Sequence, residues 1–109
     1  MIDLNKLSGE SQEIARKRAE HGLKADTLTC LKHCAGEVVE ATEAFCELQC
    51  ATKTEFALGD YFIKLCDEIS DVIICALIVA ANEGIDIEKA IVKKIAQNRK
   101  RAEGTGDKL

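Results

Sequence analysis

Proline and tryptophan are absent from this chain, and aromatic residues are few, with one tyrosine and three phenylalanines. Without proline nothing breaks a helix interior, so long uninterrupted helices are open to it. Without tryptophan or interleaved aromatics it offers no stacking platform for single-stranded nucleic acid. No long hydrophobic run is present either. The longest, Val72 to Ala81, falls well short of the about 20 residues that span a bilayer, so it reads as a buried helix. The N-terminus, Met1-Ile2-Asp3-Leu4-Asn5-Lys6, has no basic region followed by an apolar one, so no secretory leader is expected and the expected location is cytoplasmic. Excess positive charge is lacking as well. The formal net charge is −4, which gives the whole molecule no field to attract nucleic acid.

What is present favours helix: Ala, Leu, Ile, Val, Glu and Lys fill the chain. A length of 109 residues supports one core, hence a single domain over 1–109 with its core at about 26–103 and a mobile tail at 104–109. Six cysteines could suggest a disulfide scaffold, but the chain lacks the loop-rich character of one. Cys30/Cys34 and Cys46/Cys50 are i,i+4 pairs. On one helix they stand roughly 24 Å apart at 1.5 Å per residue, too far to share a zinc. They read as buried thiols of a cytosolic protein.

The pattern predicts an all-α fold of four helices and no strand. A short first helix spans 10–22, with Ser8 as its cap and Gly22 as its stop. A second spans 27–50 behind Asp26, with Leu28, Leu31, Ala35, Val38, Thr42 and Phe45 as its core stripe. Ala41 and Ala44 lie beside its acids and would let another helix approach closely. Residues 51–59 read as a connection. The third helix spans 60–83, with Leu65, Ile69, Val72, Ile73 and Ala76 inward. Beyond Asp71 it is apolar on its other faces too, through Ile74, Cys75, Ile78 and Val79. A helix apolar all round is buried all round, and four helices of this size cannot cover it. The protomer's antiparallel helices should therefore complete a bundle by dimerisation. Gly84 ends the third helix and Asp86 caps the fourth, which runs to 102 with Ile87, Ile91 and Ile95 inward.

Two carboxylate pairs stand out, Glu37-Val-Val-Glu40 and Glu68-Ile-Ser-Asp71. Each is an i,i+3 pair on one helix face, and each borders an apolar stripe. On two antiparallel helices both pairs can face one cleft. Four converging carboxylates would cost several kcal/mol without a counter-charge, and residues 37–51 hold no Lys or Arg. Lys64 alone is close on the third helix. A bound cation answers this. An all-oxygen ligand set favours Mg²⁺ or Mn²⁺ over zinc. Di-iron chemistry is disfavoured, because neither His21 nor His33 follows a Glu as Glu-x-x-His. On the fourth helix Lys94, Asn98 and Arg101 share a face. This set suits a polyphosphate, although a solvated basic helix end would read the same way.

In these residues the chain resembles the MazG-like nucleoside triphosphate pyrophosphohydrolases, an all-α family marked by Glu-x-x-Glu, a variable gap, then Glu-x-x-Asp. Here the marks are Glu37/Glu40 and Glu68/Asp71, followed by Lys94, Asn98 and Arg101 and by the Gly84–Glu88 turn. The similarity covers about residues 28–103. It implies a homodimer or a dimer of dimers, and Mg²⁺-dependent hydrolysis of a (d)NTP to a monophosphate and pyrophosphate, a nucleotide-pool clearance activity. It implies that Glu37, Glu40, Glu68 and Asp71 bind the metal, that Glu37 or Glu40 helps to generate the nucleophile, and that Lys94, Asn98 and Arg101 hold phosphate oxygens. Phe45, Phe56, Tyr61 or Phe62 could stack on the base. Neither membrane association nor stable nucleic-acid binding is expected. The competing class is a non-catalytic helical interaction module or a nucleotide-binding regulator, in which the acids answer a basic partner or hold nucleotide without turnover.

Overall fold

A computed structural model of the chain describes residues 1–20, 25–51 and 55–104, the side chains of 55–57 excepted. The described residues form four helices and no strand: α1 (Leu4–Ala19), α2 (Thr27–Cys50), α3 (Glu55–Asn82) and α4 (Ile87–Ala102). No helix among them is long and apolar enough to cross a membrane.

The helix starts are set by aspartates. Asp3, Asp26 and Asp86 each accept a hydrogen bond from the backbone N–H three residues on, at Lys6, Thr29 and Lys89, which satisfies an otherwise orphaned donor of the first turn. α1 therefore begins at Leu4 and not at 10. Ser8, the expected cap, instead sits inside α1, buried, with its Oγ donating to the Leu77 carbonyl at 2.6 Å. α3 begins at Glu55, within the stretch expected to be a connection. It ends at Gly84, whose φ of +66° suits a residue without Cβ. There the Ile85 N–H reaches the Ala80 carbonyl at 2.8 Å and the Gly84 N–H reaches that of Ala81 at 3.3 Å, a Schellman stop. Gly22, His21 and the tail 105–109 lie outside the described residues.

α2 and α3 form an antiparallel hairpin, tied by Thr27 to Glu83 at one end and Lys64 to Glu47 towards the other. Their shared seam is Cys30, Cys34, Glu37, Ala41, Ala44 and Leu48 on α2 and Tyr61, Leu65, Glu68, Val72, Cys75 and Val79 on α3, all buried or half-buried. The alternating spacing of three and four is that of a left-handed coiled coil. Ala41 and Ala44 keep the backbones close, as expected of small residues. The expected core stripe of α2 does not lie in this seam. Leu28, Leu31, Val38 and Phe45 are about half exposed, as are Ile69 and Ile73 of α3. The chain thus buries its small-residue face internally and leaves its larger apolar face outside.

α1 packs on the C-terminal half of α3, where Leu77 and Ala80 are buried. Gln12 donates to Asn82, which in turn donates to the Ala25 carbonyl and fixes the entry to α2. α4 packs on α1 and makes no extensive contact with α2 or α3. Asn5 holds its first turn, donating to Asp86 and accepting from the Ile87 N–H, each at 3.0 Å. Beyond that turn, residues 89–100 are all exposed. The accessible surface of 8376 Å² exceeds the roughly 6,000 Å² of a compact monomer of 11.9 kDa. The radius of gyration, 17.0 Å, likewise exceeds the about 13 Å of a compact chain of this length.

Candidate functional site

The antiparallel register places Glu37 and Glu40 of α2 opposite Asp71 and Glu68 of α3, midway along the hairpin. One carboxylate oxygen from each of Glu37, Glu40 and Glu68 lies within 4.8 Å of the others. Glu37 and Glu68 are half-buried seam residues, and Glu40 stands at the surface beside them. Glu37 divides its two oxygens. Oε1 meets His33 Nε2 at 3.0 Å, one helical turn before it. Oε2 is buried and has no hydrogen-bond partner, and Glu68 Oε2 is in the same condition. A buried acceptor without a partner is costly, and more so when charged.

Electrostatics express that cost. Burial pushes the Glu37 carboxyl above its ordinary range, the neighbouring Glu40 carboxylate pushes further, Asp71 adds to this, and His33 opposes. Glu68 is raised in the same direction, by burial first, then by the neighbouring Glu40, Glu37 and Asp71. Lys64 does not relieve the group, because Glu47 takes it with both carboxylate oxygens at 3.1 Å. The residues therefore form an anionic cluster with two unsatisfied inward oxygens. Its donor set is all carboxylate, which suits a hard divalent cation.

Beside the cluster, α1, α2 and α3 enclose a cavity of about 320 Å³. Glu37 and Asp71 contribute its acids, Arg18 and His33 its basic groups, and Cys30, Cys75, Ile74 and Ile78 soft, apolar walls. Cys30 and Cys75 are buried. Desolvation pushes the Cys75 thiol up to about 11, with Cys34 and Glu37 adding to it. Burial, then Asp26, raises Cys30 as well. These thiols stay neutral. All six cysteines are free, and Cys46, Cys50 and Cys66 are exposed, so the expectation of buried thiols fails for Cys46 and Cys50.

The chain brings three of the four acids expected from the sequence, Glu37, Glu40 and Glu68, to within ligand distance of one another, and Asp71 lines the same cavity as Glu37 and lies near enough to raise it. Lys94, Asn98 and Arg101 are not brought to them within one chain. They lie on α4, where Arg101 donates to Asn98. Of the stacking candidates, Phe45 lines a separate apolar groove with Val38, Ala41, Leu65, Ile69 and Ile73. Tyr61 and Phe62 line neither hollow, and the side chain of Phe56 is outside the described residues. Arg18 was missed. The weak apolar pattern of α1 gives no sign that its C-terminal turn approaches α2 and α3. Set against known proteins, the chain matches no family model and no curated sequence.

Proposed function

We propose that this protein is a Mg²⁺-dependent nucleoside triphosphate pyrophosphohydrolase, converting a (d)NTP and water to a (d)NMP and pyrophosphate in clearance of nucleotide pools. One observation carries the reading: Glu37 Oε2 and Glu68 Oε2 are buried, unpartnered and adjacent to Glu40. A cation between them would satisfy both at once. Glu37, Glu40, Glu68 and Asp71 would hold it, and the all-oxygen set fits Mg²⁺, with Mn²⁺ as a substitute. Bound there, Mg²⁺ supplies the counter-charge for the acids and polarises phosphate oxygens.

In this reading Glu37 or Glu40 would take the proton of the attacking water. In that step the water oxygen bonds to the α-phosphorus. The bond from that phosphorus to the bridging oxygen breaks, and pyrophosphate leaves with the electron pair.

The active form in this reading is a homodimer or a dimer of dimers. The groove from Val38 and Phe45 across to Ile69 and Ile73 is nearly all apolar and open. A second copy would cover the groove and complete the bundle. Lys94, Asn98 and Arg101, which stand off α2 and α3, would reach phosphate from that copy. Six free thiols fit a reducing compartment such as the cytoplasm.

The test is to incubate the protein with Mg²⁺ and a panel of NTPs and dNTPs and to separate the products. Monophosphate plus pyrophosphate is expected from at least one nucleotide. The Glu40→Gln, Asp71→Asn double variant should fall to background with its helicity intact. Diphosphate plus phosphate as products, or full activity in the double variant, would overturn the assignment. A melting temperature indifferent to Mg²⁺ and Mn²⁺ would favour the non-catalytic interaction module.

A further inference from the structure

We infer that Arg18, together with His33, forms an oligophosphate-binding subsite inside a single chain, in the cavity that the carboxylates also line; the subsite rests on the cation-binding reading of those acids. Arg18 comes from the last turn of α1, His33 and Glu37 from α2 and Asp71 from α3, and all four line the same hollow. Opposite charges that share a cavity ordinarily pair. Here, among the described residues, Arg18 forms no ion pair, with Glu37, Asp71 or any other acid. The cavity that these residues line has a volume of about 320 Å³, near the lower end of small-molecule sites.

What fits between a carboxylate wall and a guanidinium is a ligand of alternating charge: a divalent cation on the acids and a phosphate chain between it and Arg18. The planar fork of Arg matches phosphate oxygens with two parallel N–H donors. His33 is 69 % exposed at its side chain and reaches Glu37 through Nε2, which holds the imidazole at the edge of the same hollow. The remaining walls do not oppose an anion. Cys30 and Cys75 are buried and protonated, and Ile74 and Ile78 are neutral. Among the described residues no other basic residue lines the cavity. Lys64 is held by Glu47, and the basic residues of α4 lie on a helix that packs elsewhere.

Calorimetric titration of the protein with inorganic tripolyphosphate in the presence of Mg²⁺ tests this without any need for turnover. Wild type should bind. Arg18→Ala should bind about 10- to 100-fold more weakly, the usual loss for a charge-assisted hydrogen bond to a phosphate, and Arg18→Lys should fall between. Because Arg18 is exposed, both variants should keep the wild-type melting temperature and Mg²⁺ affinity, an outcome that a merely structural role would not give. With nucleotides, Arg18→Ala should raise KM by a similar factor for every base. Equal tripolyphosphate binding by wild type and Arg18→Ala, or none by wild type, would overturn the subsite. A base-selective KM effect would also overturn it, by assigning the guanidinium to the nucleobase. Wild type that binds tripolyphosphate through Arg18 but hydrolyses no nucleotide would instead overturn the reaction and leave the subsite standing.

Discussion

Glu37 offers its two carboxylate oxygens to different fates, one to His33 and the other to a buried position with no partner. That asymmetry has a pH signature. Glu37 and Glu68 are raised above the ordinary carboxyl value of 4.5, by burial first and by neighbouring acids second. Between 4.5 and the raised values the folded chain therefore binds more protons than the unfolded one. Stability of the metal-free protein must then fall as pH rises through that window. A bound cation removes the penalty and, at about 100 times its dissociation constant, adds roughly 2.7 kcal/mol. Melting curves against pH, with and without Mg²⁺, should coincide in acid and separate above pH 4.5. Glu68→Gln should raise the metal-free melting temperature by a few degrees and lose most of the Mg²⁺ increment. A Mg²⁺ increment that does not change with pH would refute the account. At this scale the acids were legible, because an i,i+3 carboxylate pair beside an apolar stripe is a local pattern. Arg18 was not, because its place in the cavity depends on how α1 crosses α3, which residues 10–19 do not encode locally.

The helix α2 was legible to the residue, since Asp26 and the apolar period agree on 27–50. α1 was not, since Ser8 resembles a cap and Asp3 precedes it with little apolar pattern behind either. The packing face of α2 was misjudged for a physical reason, whereas Leu65 and Val72 of α3 do lie in the seam. The largest apolar residues were taken to mark the core, but inside one chain closeness of approach decides, and the face carrying Cys30, Ala41 and Ala44 approaches most closely. Ala44 tests this point. It is fully buried at 0 % exposure in a seam of closely spaced backbones. Ala44→Leu should overpack it and cost about 1–3 kcal/mol, read as a lower urea midpoint with an unchanged slope. Val39→Ala, on an exposed side of the same helix, should change stability by less than about 0.5 kcal/mol. Equal effects would mean that the seam is looser than the spacing of its residues indicates.

For the whole molecule the helix count could be read from the sequence, because the apolar periods and the breaks between them are local patterns. Which apolar face stays uncovered could not, since that depends on which face α2 and α3 spend on each other. The structure leaves Val38, Phe45, Ile69 and Ile73 about half exposed along one groove, a contiguous apolar strip of the kind that monomers rarely keep. If a second copy covers it, folding and association are coupled, and the melting temperature rises with protein concentration. The Phe45→Glu, Ile73→Glu double variant would place two charges in a face that must be dry when paired, at a cost that no internal contact of the chain offsets. It should elute at the 11.9 kDa monomer, keep its helical circular dichroism, melt at a temperature independent of concentration, and melt lower than wild type. Sedimentation of wild type as a monomer at micromolar concentration, with a concentration-independent melt, would remove the dimer and require another occupant for the groove. If instead the variant is monomeric yet still hydrolyses nucleotide at the wild-type rate, the groove and the carboxylate site are independent, and Arg18 would be the basic group that the reaction uses.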